Sequence, residues 1–178
     1  MHGIIFNELR KYATARLGPG AWEMLLTSAD LGGKTYLATQ RYPDEEVVAL
    51  VGAASAAASL DASVVLEDFG EFIAPDLIGM FRSLIRPEWR TLDVVARTED
   101  TIHKVVRLRY ADAAPPYLKA TRIAANHVQI IYTSPRKLCF IAKGIVKGLA
   151  KHFNEEIRLD EPECMILGGR ECRMEVMS

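Results

Sequence analysis

Tyr132, Ser134 and Arg136 stand at alternate positions in the run Tyr132-Thr133-Ser134-Pro135-Arg136, directly after the strand-like His127-Val128-Gln129-Ile130-Ile131. Alternate side chains of an extended chain share one face. A phenol, a hydroxyl and a guanidinium fork therefore project together. Arginine binds a carboxylate or phosphate bidentately, and hydroxyls add directed hydrogen bonds, so the trio is suited to clamp an anion. Pro135 removes a backbone donor and ends the strand as the chain enters the next helix. Such triplets also occur on ordinary surfaces, so the trio alone leaves clamp and surface readings open.

His103 is the second candidate. At helical spacing Leu92, Ala96, Glu99, Val106 and Tyr110 fall near its face. This places an imidazole in a mostly apolar stripe. Two readings stand side by side: a core histidine bonded to a carbonyl, or a metal ligand, for which neutral imidazole is the commonest choice. No HExxH, CxxC or HxH partner accompanies it, so the chain offers it no tetrahedral shell. One imidazole is nevertheless all that a haem iron asks of the protein, since the macrocycle supplies four nitrogens. A flat apolar disc with two carboxylates needs one axial ligand, apolar walls and an anion clamp. His103, the helical half of the chain, and Tyr132 with Ser134 and Arg136 can supply these in turn.

The elements that must position these residues follow from composition and pattern. A chain of 178 residues fits one domain with a sizeable core. A net charge of −1 argues against a nucleic-acid surface. No apolar run approaches the ~20 residues that span a bilayer, and the start of the chain is helical in period and soon charged, unlike a signal peptide. Three cysteines make no disulfide framework, so a reducing, cytoplasmic setting is the simpler expectation.

Apolar periodicity predicts helices over Ile4 to Leu17 and Ala21 to Ser28, then one opening at Pro43. A further helix, capped by Asp61, is expected to break at Pro75, with short helical sequence from Leu77 to Leu84. A long helix is expected from about Glu88 to Tyr110. Ala113-Ala114-Pro115-Pro116 is a stiff linker. Strands are predicted over Tyr117 to Ala125 and His127 to Thr133, a helix over Lys137 to Phe153, and strands over Glu156 to Leu159 and Met165 to Leu167. Gly168-Gly169 reads as a hairpin turn before a strand from Cys172 to Val176. The fold class is α+β, a single domain whose residues 1–112 are mainly helical and whose residues 113–178 run β-β-α-β-β.

Taken together these features resemble the H-NOX (haem nitric oxide/oxygen binding) family of bacterial gas sensors, related to the haem domain of soluble guanylate cyclase. The residues that carry the resemblance run the length of the chain: Met1-His2-Gly3-Ile4-Ile5; Phe69-Gly70-Glu71; His103 thirteen residues before Pro116; the Tyr-x-Ser-x-Arg motif; and Gly144-Ile145-Val146-Lys147-Gly148-Leu149. The resemblance implies a helical N-terminal half packed on a C-terminal half of four antiparallel strands and a helix, with haem b between them. His103 resembles the proximal iron ligand, and Tyr132, Ser134 and Arg136 the propionate-binding trio. Pro116 resembles the proline that presses on the macrocycle.

Oxygen-binding members place a tyrosine where this chain has Ile141, and the other polar positions of that network match Leu9 and Ile73. The wall Ile5, Leu9, Ile73, Ile141 and Ile145 offers no donor to bound oxygen. The resemblance therefore implies a sensor of nitric oxide, and of carbon monoxide, that does not hold oxygen. It implies no catalysis, and a separate signalling partner such as a histidine kinase or a cyclic-dinucleotide enzyme. No acid/base pair, nucleophile arrangement or nucleotide loop was found in the sequence.

Some members carry a zinc site or redox-responsive thiols. Cys139, Cys164 and Cys172 resemble three of those positions, and Glu161 stands at the fourth. Glu161 or His152 would have to complete a zinc shell; three free buried cysteines are the alternative. A different class of function also stays open: the fold serving as a module for another tetrapyrrole or an apolar ligand, or as a zinc/thiol redox switch.

Overall fold

Apolar residues at helical spacing make the chain helical up to residue 110, and alternation makes the remainder a sheet with one long covering helix. The computed structural model describes residues 1–110 and 113–178. The expected change of character at residues 112 and 113 touches residue 112, which lies outside the described residues. The chain divides into two compact units, Met1–Phe69 and Gly70–Ser178.

The first unit holds α1 (Gly3–Leu17), α2 (Ala21–Ser28), α3 (Asp44–Ala58) and the start of α4 (Ala62–Phe81). Its core is aromatic: Phe6 stacks on Tyr36 with ring centroids 4.1 Å apart, and Trp22 and Tyr42 meet Tyr36 edge-on. Offset and edge contacts of this kind add to simple area burial. Glu46, buried on α3, accepts the Tyr36 hydroxyl at 2.7 Å and pairs with Lys34. Pro43 sits at the N-cap of α3, one residue before the first turn.

The second unit holds the rest of α4, a 3₁₀ turn (Arg82–Leu84), α5 (Thr91–Arg97), a π-helical turn (Glu99–His103) and α6 (Lys104–Arg109). There follow β1 (Tyr117–Ala124), β2 (His127–Thr133), α7 (Cys139–Phe153), β3 (Arg158–Glu163) and β4 (Cys172–Met177). The four strands form one antiparallel sheet in the order β1-β2-β4-β3. Val128, Ile130 and Tyr132 of β2 pair with Val176, Met174 and Cys172 of β4. All six are buried, in one core with Leu92, Val94 and Val95 of α5 and Val146 and Leu149 of α7. The alternation that marked β2 in the sequence is thus the inward face of the sheet.

Three expectations change. The helix does not break at Pro75: α4 runs through it. Proline's φ suits a helix, and its cost is the missing N–H to the carbonyl four residues back, here that of Glu71. That carbonyl lies where a Cβ on Gly148 would stand 2.5 Å away, close against the glycine of α7. The long helix from Glu88 to Tyr110 is interrupted by the π turn, closed by the His103 N–H on the Thr98 carbonyl at 2.9 Å. Met165–Leu167 is a 3₁₀ turn rather than a strand; the Cys164 carbonyl takes the N–H of both Leu167 and Gly169 and curls the chain. Among the described residues no single helix is long and apolar enough to cross a membrane.

Candidate functional site

The π turn carries His103. Such turns insert one residue into a helix and redirect the side chains after it, and they recur at functional sites. The His103 side chain is 14% exposed, and its Nδ1 lies 3.0 Å from Glu99 Oε2. The same carboxylate oxygen accepts the Leu118 N–H of β1 at 3.1 Å, while Oε1 accepts from Arg107 at 2.7 Å. Burial pushes the His103 pKa below its usual value; Glu99 and the Pro116 carbonyl oppose this without reversing it. The imidazole is therefore neutral at pH 7. Burial also pushes on Glu99, in the opposite sense, yet Arg107, His103 and the Leu118 N–H together hold its carboxyl below the usual range.

β2 delivers the clamp. Tyr132 and Ser134 are each 2% exposed. The strand ends in a turn where the Lys137 N–H bonds the Ser134 carbonyl at 3.1 Å and the Arg136 N–H bonds Ser134 Oγ at 3.3 Å. Lys137 takes a left-handed conformation, φ 51°, unusual for a non-glycine residue and a mark of a constrained turn. Arg136 Nη1 donates to the Ala114 carbonyl at 2.6 Å. Burial pushes the Tyr132 hydroxyl up to about 12, so it stays a donor at any ordinary pH.

These groups are connected through β1. Leu118, whose N–H is held by Glu99, pairs with Tyr132, and Tyr132 pairs in turn with Cys172. The structure thus joins the predicted ligand, Pro116 and the predicted clamp through one edge strand.

Glycines set the wall. A Cβ on Gly70 would stand 2.2 Å from the Ile141 carbonyl, and one on Gly148 would stand 2.5 Å from the Ala74 side chain. Only glycine lets α4 and α7 approach so closely. The approach brings the α4 turn holding Ile73, 1% exposed, against the α7 turns holding Ile141 and Ile145. Ile5 and Leu9 lie on α1 of the first unit, where Leu9 is fully buried.

The cysteines do converge. The ligand atoms of Cys139, Glu161, Cys164 and Cys172 all lie within 4.8 Å of one another. Sulfur separations of 3.8 Å (Cys139–Cys164) and 3.9 Å (Cys164–Cys172) leave all three thiols free. Burial pushes the Cys139 and Cys172 thiols up, so both are protonated at neutral pH. Glu161 is the fourth member; its Oε2 accepts from Lys143 at 2.9 Å, in a pair whose side chains are each 12% exposed. His152 is exposed at the last turn of α7.

Sequence reasoning placed Glu99 on the histidine's face but gave it no role. The signal was present in the spacing: Glu99, His103 and Arg107 recur every four residues. Lys143 and its stack over Phe140, 3.8 Å from the ring centroid, were also missed. Glu155 Oε2 accepts the Thr91 N–H at the start of α5, at 3.0 Å.

The structure thus holds a largely shielded imidazole, two buried hydroxyls beside a guanidinium, and an apolar crossing of α4 and α7. Comparison with known proteins gives the class. The Haem-NO-binding family model matches residues 2–161, and the chain belongs to that family, the H-NOX domains. An H-NOX protein from Shewanella oneidensis, solved in its Fe(II)NO state, superposes with TM-score 0.92 at 27% identity, covering 99% of this chain and 98% of that one. An H-NOX domain from the same organism in the Fe(II)CO state gives TM-score 0.89 at 26% identity, with the same coverage. An H-NOX protein from K. algicida shares the fold at TM-score 0.86 and 22% identity, over 99% of this chain and 96% of its own. No curated protein matches the chain in sequence. Domains of this family bind haem, sense gases and are in general non-catalytic.

Proposed function

We propose that this chain is a haem-based nitric oxide sensor in which His103 is the iron ligand, with no catalysis of its own. The carrying observation is the His103 imidazole: only 14% exposed and with Nδ1 3.0 Å from a carboxylate oxygen, so that on this reading Nε2 is the nitrogen offered to iron. Haem held there by His103 would supply an iron that binds the gas. The donor set fits the group: one imidazole, a guanidinium and two buried hydroxyls for the propionates.

The chain does the rest. Tyr132, Ser134 and Arg136 fix the carboxylate edge, and Pro116, one residue before β1, supports the ring. Ile73, Ile141 and Ile145 present no donor, and a charge-shifted oxygen adduct would find no hydrogen bond there; nitric oxide and carbon monoxide need none. The two arrangements of His103, bonded and released, make a bistable element that a ligand can bias. A separate signalling protein, such as a histidine kinase or a cyclic-dinucleotide enzyme, receives the output.

The test is the absorption spectrum of the ferrous protein before and after nitric oxide. A five-coordinate haem spectrum that responds to nitric oxide, and is lost in His103→Ala, is expected. No haem uptake, or a spectrum indifferent to that substitution, sinks the proposal; a stable oxygen complex in air sinks the selectivity.

The convergence of Cys139, Cys164, Cys172 and Glu161 favours a second reading, a zinc or redox site. Zinc would have to deprotonate buried thiols and compete with Lys143 for Glu161. Stoichiometric zinc in the purified protein, lost when the three cysteines become serine, would establish it; zinc-free protein would leave a reduced thiol cluster.

A further inference from the structure

The polar groups behind His103 are more than a histidine needs to be held in place. Glu99 accepts three hydrogen bonds: from His103 Nδ1 and the Leu118 N–H on Oε2, and from Arg107 Nη1 on Oε1. Its side chain is 19% exposed and that of His103 is 14% exposed, so water competes little for these bonds. An ionised carboxylate only accepts, so Nδ1 carries a proton, and with His103 read as the iron ligand Nε2 carries the lone pair. A carboxylate on the distal nitrogen of a metal-bound imidazole raises the basicity of the ligating one. Leu118 adds a mechanical link, because it belongs to edge strand β1 and spends on Glu99 an N–H that no strand takes.

We propose that Glu99 is the positioning residue of the proximal histidine: it fixes the His103 tautomer, strengthens the iron–imidazole bond, and ties release of His103 to strand β1, with Arg107 tempering the effect. This rests on the reading of His103 as the iron ligand. Arg107 draws charge from Oε1, and Leu118 shares the oxygen that holds His103. The imidazole therefore feels a carboxylate whose strength the neighbouring side chains set. Any displacement of His103 loads the same oxygen that pins Leu118, opposite Tyr132 of the clamp.

Two substitutions with opposite expected signs test this in the full haem-loaded chain. Glu99→Gln keeps the shape and removes the charge. It should lower the iron–histidine stretching frequency in resonance Raman, raise the five-coordinate fraction after nitric oxide, and speed Leu118 amide exchange roughly tenfold or more. Arg107→Gln, at a side chain 39% exposed, leaves Glu99 more basic and should raise the stretching frequency. A purely structural role would not move the two variants apart. Haem retained through His103 with both frequencies unchanged, or shifted in the same direction, overturns the proposal and leaves the ligand assignment standing. Wild-type protein whose haem spectrum is indifferent to His103→Ala overturns both. If Glu99→Gln fails to fold, the sign of the Arg107→Gln shift decides alone.

Discussion

Each unit of the molecule shields a carboxylate beside a cation and a ring, fully for Glu46 and partly for Glu99. In Met1–Phe69 it is Glu46, with Lys34 and the Tyr36 hydroxyl; in Gly70–Ser178 it is Glu99, with Arg107 and the His103 ring. Both carboxyls sit below their usual range although burial pushes them up, because the hydrogen bonds they accept outweigh it. What differs is the ring. A phenol that donates its hydroxyl has little left to offer, and Glu46 closes an aromatic core. An imidazole that donates from one nitrogen presents a lone pair on the other. The same electrostatic device therefore makes structure in the first unit and, on the proposed reading of His103, a ligand in the second.

Backbones meet closely in both units, but the segments that meet differ in how firmly they are held. A Cβ on Gly70 would stand 2.2 Å from the Ile141 carbonyl, and one on Gly3 would stand 2.0 Å from that of Leu37. Gly70 lies inside a continuous helix, whereas Leu37 belongs to an irregular segment with its side chain 52% exposed. Gly70→Ala should cost about 3 kcal/mol and disturb the gas-pocket wall, and Gly3→Ala only about 1 kcal/mol because the segment can shift. Denaturant unfolding of the two variants checks this; equal losses would mean that α4 and α7 separate as readily as a loop moves.

Glu46→Ala should rank next, at about 2 kcal/mol, because it leaves the buried Tyr36 hydroxyl without its acceptor while Lys34 can turn to solvent. The effect has a pH signature. The folded carboxyl titrates below the unfolded one, so its contribution is present at neutral pH and is lost as pH falls through the folded value. The difference in melting temperature between wild type and Glu46→Gln should shrink below about pH 4. A difference independent of pH would show that the charge contributes nothing.

These groups were not equally legible in the sequence. The placing of Tyr132 was, because strand alternation is a local rule: it sits on the inward face of β2 that Val128 and Ile130 predict. His103 was legible as a type and as a position on a face. Glu99 was not, because its role depends on Leu118, nineteen residues on, and on a π turn that no side-chain pattern announces. Pro75 misled too: α4 runs through it, and the Glu71 carbonyl that it leaves without an N–H lies close to Gly148 of a sequence-distant helix. The turn at Met165–Leu167 has strand-like residues, but the Cys164 carbonyl takes two N–H groups and overrides them. The thiol cluster could be aligned by resemblance, yet Lys143 on its fourth member needed coordinates.

The smallest expected effect separates exposed from buried ion pairs. Arg16 meets Asp68 through Nε at 2.8 Å and Nη2 at 2.7 Å, but the side chains are 46% and 36% exposed. Lys143 and Glu161, at 12% each, are nearly dry. Water and salt screen the first pair, so Arg16→Ala should cost about 0.5 kcal/mol in dilute buffer. That cost should fade toward zero near 1 M salt, where screening acts within about 3 Å. Lys143→Met removes a partner from a shielded carboxylate, so whatever it costs should survive the same salt. Chemical denaturation of both variants with urea, at low and high sodium chloride, reads the contrast directly. If the two losses fall in parallel, the Glu161 carboxylate is hydrated. The thiol cluster beside it would then be open to solvent, where a metal or an oxidant could reach it.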